Sequence, residues 1–199
     1  MTTDDTAIIL IGYQNDYFAA EGVLNSVVEE TTRTGRVLEN TTDLLENLRD
    51  TSTMIVSTPI CFTENYSELV EPVGILKTIR DVGAFKEGTT GSEAIDQLKT
   101  FGDRVLSIPG KRGLNAFSNT SLHETLAENG IKNIVLAGAV TSICIDTTGR
   151  DAYERGYKVV ILSDCTSGRT ITEQDFYCEQ IFPIYAQVMD HKSLLEQML

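Results

Sequence analysis

Ile134-Val135-Leu136-Ala137-Gly138-Ala139-Val140-Thr141-Ser142-Ile143-Cys144 passes from an unbroken apolar run, through a glycine, to a cysteine. The segment Asn133–Ala137 reads as a buried strand, because parallel strands covered on both faces are apolar throughout instead of alternating. From Ser142 to Arg155 the sequence is helix-competent, so Cys144 falls at a strand-to-helix junction. A thiol there lies at the positive end of the helix macrodipole, where the thiolate is favoured. Cys144 is thus a candidate nucleophile, and the competing reading is a small buried hydrophobe.

The same alternation extends to both ends of the chain. Candidate strands are Ala7–Tyr13, Met54–Thr58, Arg104–Ile108, Asn133–Ala137, Lys158–Leu162 and a short Gln187–Met189. Helical patterns lie near Thr34–Arg49, Ser92–Thr100, Ser121–Glu128, Ser142–Arg155, Thr172–Tyr185 and His191–Met198. Ile- and Val-rich strands separated by helices imply right-handed crossovers and a parallel sheet covered on both faces, a three-layer α/β/α architecture. No repeat or linker divides residues 1–199, so one domain is expected. The longest stretch without a clear pattern, Pro59 to about Gly91, is a candidate lid or substrate wall.

Of the 199 residues, 41% are apolar and 23% charged, ordinary for a globular chain. The formal net charge of −13 argues against nucleic acid or an anionic membrane surface as partner. The longest apolar run, Ala7–Ile11, is too short to span a bilayer, and no signal-peptide pattern opens the chain. A cytoplasmic location is expected. The four cysteines, Cys61, Cys144, Cys165 and Cys178, form no CxxC pair and read as reduced thiols.

In doubly wound sheets, ligands bind at the carboxyl ends of the strands near the reversal of strand order. That rule collects the residues after Tyr13, after Thr58, after Pro109 and around Cys144, and four segments carry a family pattern. They are Gly12-Tyr13-Gln14-Asn15-Asp16-Tyr17-Phe18, then Lys111-Arg112-Gly113-Leu114-Asn115-Ala116-Phe117, the cysteine segment, and Ser163-Asp164-Cys165-Thr166. Together they resemble the isochorismatase-like cysteine hydrolases, which include nicotinamidases and N-carbamoylsarcosine amidases. That family carries Asp-x-Gln-x-Asp-Phe after strand one, a lysine and an Ala-Phe segment after strand three, and Gly-x-x-Thr-x-x-Cys at the nucleophile. The resemblance covers about residues 6 to 190 and implies strand order 3-2-1-4-5-6.

It also implies an Asp-Lys-Cys triad hydrolysing a small amide or carbamoyl substrate through an acyl-enzyme. Cys144 is then the nucleophile and Lys111 its cationic partner. Ala139, Val140 and Ile143 form the oxyanion loop, with a cis Ala139–Val140 bond implied by the resemblance alone. The resemblance further implies a homo-oligomer and a small-molecule substrate, with no organic cofactor.

The departure is at Gly12, which stands where the family has its general base. Glycine takes no proton. Asp16, the second acid of the motif, is either a substitute base or a loop brace. Gly12, Gln14, Phe18, Phe62 and Phe117 are candidate pocket residues, Gly12 leaving extra room at the floor. Plain core packing is the alternative for the aromatics. Three functional readings stay open. A different carboxylate (Asp16, Glu64, Glu68 or Glu71) reaches the sulfur; or Lys111 and the helix dipole already hold a thiolate; or the chain is a silent relative that binds a small molecule or partner. On the first alignment, Gly12→Asp is expected to raise turnover.

Nicotinamidases of this family hold zinc through an Asp and histidines after strand two. The matching stretch here, Ser57–Asn65, contains no histidine. The chain's two histidines, His123 and His191, read as ordinary side chains, and no metal is expected because the donors do not converge.

Overall fold

The computed structural model describes residues 1–199. Six strands form one parallel sheet in the order β3-β2-β1-β4-β5-β6. They are β1 (Thr6–Ile11), β2 (Met54–Thr58), β3 (Leu106–Ser107), β4 (Asn133–Ala139), β5 (Lys158–Ser167) and β6 (Gln187–Met189). The central strands β1 and β4 are buried at every residue, as their unbroken apolar sequences require.

Two apolar cores lie on opposite faces of the sheet. Residues of β1 divide between them by the two-residue period, Ile8 and Leu10 entering one, Ala7, Ile9 and Ile11 the other. The first core takes α1 (Asn15–Phe18), α2 (Asn25–Thr34) and α3 (Val37–Leu48). The loop region adds α4 (Gly74–Val82) and α5 (Asp96–Lys99) to the same core. The second takes α6 (Leu122–Glu128) and α7 (Asp146–Glu154). The chain closes with α8 (Ile171–Phe176) and α9 (His191–Met198), and no helix is long and apolar enough to cross a membrane.

Several element boundaries differ from the sequence expectation. The helix expected from Thr34 to Arg49 begins only at Val37, after Gly35 and the left-handed Arg36 (φ 52°), and is preceded by α2, which the sequence pattern does not mark. The strand expected over Arg104–Ile108 shrinks to Leu106–Ser107. Arg104 sits instead in a tight turn and donates to the carbonyls of Leu48, Arg49, Thr51 and Thr53. The long patternless stretch contains α4. The helix expected over Thr172–Tyr185 gives way to a wider turn at Tyr177 and a tight one around Pro183.

The glycine of the opening stretch lies inside β4, not after it. Gly138 pairs with Ile11 at φ +124°, and a Cβ there would stand 1.9 Å from the Ile11 carbonyl oxygen. Only glycine lets β1 and β4 come this close. The closeness matters because both strands then release their carboxyl ends, Gly12 and Val140, side by side at the reversal of strand order.

Candidate active site

Beyond β4 the chain turns through the cis Ala139–Val140 bond into a widened helical turn, Thr141–Ile145, and then α7. Widened turns of this kind recur at functional sites. Cys144 lies within it, only 3% exposed. The loop after β3 delivers Lys111 to the same point. Its backbone runs parallel to Ile60 beyond the end of β2, and its carbonyl accepts from Cys61 N at 3.3 Å. The loop is tied to α7 through Ala116 N to Thr148 Oγ1 (3.0 Å) and Asn115 Nδ2 to Asp151 (2.7 Å).

Lys111 is fully buried. Its ammonium donates to the Gly113 carbonyl and lies 3.5 Å from Cys144 Sγ. No carboxylate pairs with this ammonium. A buried cation without an anion is costly, so the sulfur is the group positioned to balance it.

The candidate substitute bases are committed elsewhere. Asp16 accepts from the Phe85 amide at 2.6 Å, and its carboxylate abuts Gly91, where a Cβ would stand 2.2 Å from Oδ1. It therefore braces the Pro59–Gly91 segment from within. Glu68 accepts from Thr63 and pairs with Arg112 at 2.8 Å. Glu64 and Glu71 are exposed.

Of the loop amides, those of Ile143 and Ile145 both donate to the Val140 carbonyl, at 3.0 and 3.2 Å. The Ile143 amide is thus spent within the turn, contrary to its expected place in an oxyanion loop. The Val140 amide donates to no group of the protein. The loop is clamped by α8. Thr141 Oγ1 donates to Gln174 Oε1 (2.5 Å) and Ser142 Oγ to Glu173 Oε1 (2.7 Å), while Gln174 Nε2 donates to Thr166 Oγ1 and Ser163 O.

The expected pocket residues are placed differently. Gln14 is a brace: its amide nitrogen donates to Ile60 O and Ser92 O, and its oxygen accepts from Ile60 N. Phe18 stacks on Tyr13, and Phe62 packs on Tyr66, both within the first core. Phe117 stacks on Tyr157 across the sheet in the second. At Gly12 the expected free space is taken, as Tyr17 and the Ala139 carbonyl occupy the direction of a side chain. The site is an enclosed Cys144–Lys111 pair instead of an open aromatic pocket.

The stretch Ser57–Asn65 does not fit the zinc ligand set of nicotinamidases. Thr58 and Ile60 are buried, Ile60 is bonded to Gln14, and no three donors converge there. Elsewhere, Asp164, Cys165 and His191 bring donor atoms within 4.8 Å of one another. There His191 holds Asp164 through Nδ1 (2.5 Å) and Asp43 through Nε2 (3.1 Å), tying α9 to β5 and α3. Burial and the adjacent Asp164 push the Cys165 thiol well up, as expected of a packing thiol. His191 is therefore a structural brace, a role its isolated position in the sequence conceals.

A buried Cys–Lys pair thus lies at the carboxyl edge of a parallel 3-2-1-4-5-6 sheet. The chain belongs to the isochorismatase family, whose domain it matches over residues 6–193. It is 27% identical over 162 residues to nicotinamidase 3 of Arabidopsis thaliana, covering 81% of this chain and 72% of that protein. It is 29% identical over 176 residues to the ureidoacrylate amidohydrolase RutB of Methylorubrum extorquens, covering 82% and 70%. Its fold superposes on a cysteine hydrolase from Pseudomonas syringae pv. phaseolicola with a TM-score of 0.85. That match has 19% identity and covers 99% of this chain and 93% of the other.

Proposed function

We propose that the chain is a hydrolase of a small amide or carbamoyl C–N bond that works with a Cys144–Lys111 dyad in place of a triad. The observation that carries this is the pair itself, 3.5 Å apart, buried, and without a carboxylate partner. Relatives named as a nicotinamidase and a ureidoacrylate amidohydrolase support the choice of a C–N bond.

The dyad balances its protons without Gly12. The Cys144 thiolate adds to the substrate carbonyl, and the developing oxyanion is met by the Val140 amide. The Lys111 ammonium gives its proton to the leaving nitrogen as the C–N bond breaks, producing a thioester and a neutral amine on Lys111. That amine then takes a proton from water, hydroxide adds to the thioester, and the C–S bond breaks. Acid product leaves, and the thiolate–ammonium pair is restored. Because Cys144 is nearly sealed, substrate entry requires the surrounding loops to open.

The test is hydrolysis of a panel of primary amides and ureido acids, with trapping of the acyl-enzyme by mass spectrometry. Adduct on the Cys144 peptide and loss of turnover in Cys144→Ala are expected. Turnover that survives Cys144→Ala refutes the dyad. The sealed sulfur and the glycine at position 12 favour one second reading, a silent relative that only binds a small molecule. In that case the same panel shifts the melting temperature with no product formed.

A further inference from the structure

Two buried side-chain oxygens have no hydrogen-bond partner, Thr53 Oγ1 and Thr58 Oγ1. Both residues are fully buried. They bracket one strand, Thr53 preceding β2 at its amino end and Thr58 closing it at the carboxyl end. An unpaired hydroxyl in the interior is destabilising, and a valine would fill either place without that loss.

Thr58 differs from Thr53 in what surrounds it. It pairs in register with Ile11, one residue before Gly12. Two residues further on, Ile60 runs beside Lys111. Side chains of β2 alternate, Ile55 entering the first core and Val56 the second, so Thr58 faces the side that holds Val56, Ile11 and Cys144. The unpaired hydroxyl therefore stands on the Cys144 side of the sheet, between the strand ends that release Gly12 and Lys111. Like Lys111 and Cys144, it is closed off until the surrounding loops open. Thr53 lies five residues away, about 16 Å along the strand, and serves as a control.

The dyad already places the polar atoms of a simple amide. The carbonyl oxygen meets the Val140 amide, and the leaving nitrogen meets Lys111. A third hydrogen-bonding group at the same site fits a substrate with a third polar atom on the reacting carbon, which is a second nitrogen. From this arrangement we infer that Thr58 is a substrate-binding residue. Its hydroxyl accepts from that second N–H and selects a carbamoyl (ureido) substrate over a plain carboxamide. A buried group that the wrong substrate leaves unpaired gives strong discrimination. The inference deepens the proposed hydrolase and rests on its Cys144–Lys111 chemistry.

The test uses N-carbamoylglycine and succinamic acid, which match in length and differ only where a methylene replaces the second nitrogen. Ammonia release from each is measured in wild type, Thr58→Val, Thr58→Ser and Thr53→Val, with melting temperatures in the presence and absence of each compound. Thr58→Val is expected to melt a few degrees above wild type, since it removes an unpaired hydroxyl. Its kcat/KM for N-carbamoylglycine should fall about tenfold, while that for succinamic acid stays within about twofold. Thr58→Ser should keep the wild-type preference, and Thr53→Val should gain stability with both rates unchanged. Equal losses on the two compounds, no loss on either, or a Thr58→Val chain that melts below wild type each overturn the inference. So does a wild type that neither binds nor cleaves N-carbamoylglycine. If wild type binds it without releasing ammonia, the proposed hydrolase alone fails, and the ligand-induced shift in melting temperature must show the same contrast between variants. Cleavage that ignores Thr58→Val refutes Thr58 alone.

Discussion

Gly12 faces Tyr17 at van der Waals distance, and its backbone is left-handed at φ +72°. The position therefore lacks the backbone geometry for the acid that the family motif carries, and a Cβ there would press on the Ala139 carbonyl oxygen at 3.1 Å. The expectation that Gly12→Asp raises turnover has to contend with this strain. An L side chain there costs about 1–2 kcal/mol in backbone conformation alone, before the Ala139 carbonyl gives way to its Cβ. Gly12→Ala should lower the melting temperature by several degrees, and Gly12→Asp should lower it further without a gain in turnover. Thermal melts with amide assays decide this. A stable and faster Gly12→Asp enzyme would show that the site adapts to an acid.

Gly138→Ala tests the strand contact that brings the two halves of the site together. Its Cβ would lie 1.9 Å from the Ile11 carbonyl oxygen, with further clashes at Ile11 C and N. Backbone of two central strands has to separate to accept it, so the variant is expected to yield no soluble folded protein. Circular dichroism of refolded material checks this, and a native spectrum with a native melting temperature contradicts it.

How much of this was legible in the sequence depends on what each residue answers to. The central strands are readable because burial on both faces leaves no polar residue in Ile8–Ile11 or Ile134–Ala137. Cys144 is readable as a candidate because it falls at a strand-to-helix junction, whereas Lys111 is readable only through its place in the family motif. The edge strand β3 is not, since Arg104 satisfies four carbonyls from outside the sheet and periodicity carries no trace of that. Helix α2 hides because its face is largely polar, with only Val28 and Thr31 buried. The role of Gln174 depends on a contact between segments far apart in the chain.

Lys111→Met tests whether the sulfur depends on the ammonium. The side chain is fully buried, and its charge is balanced by nothing but the thiol 3.5 Å away and the Gly113 carbonyl. Methionine of similar length removes the cost of a buried charge, so the melting temperature should hold or rise. Cys144 alkylation at pH 7 should slow at least tenfold, and turnover should fall by roughly 10²–10⁴. A variant that alkylates at the wild-type rate shows that the lysine does not activate the sulfur.

The clamp from α8 makes a pH prediction. Burial raises the Glu173 ionisation, but bonds from the Arg169 and Ser142 side chains and the Arg169 amide outweigh it and hold the carboxyl below the usual range. A folded-state value below the unfolded one means the carboxylate stabilises the fold above the unfolded value, near 4.5. That contribution is lost as pH falls through the lower folded value. Arg169 is 58% exposed, so the stabilisation is modest, about 1 kcal/mol. Glu173→Gln should therefore melt a few degrees below wild type at pH 7, with the gap closing as the pH falls below 4.5. Because Glu173 grips Ser142, two residues before Cys144, the variant should also lose turnover at pH 7 while wild type loses it on acidification. Melting curves at half-unit pH steps give the answer. A gap that stays constant down to pH 3 means the carboxylate charge contributes nothing and the clamp is held by packing alone.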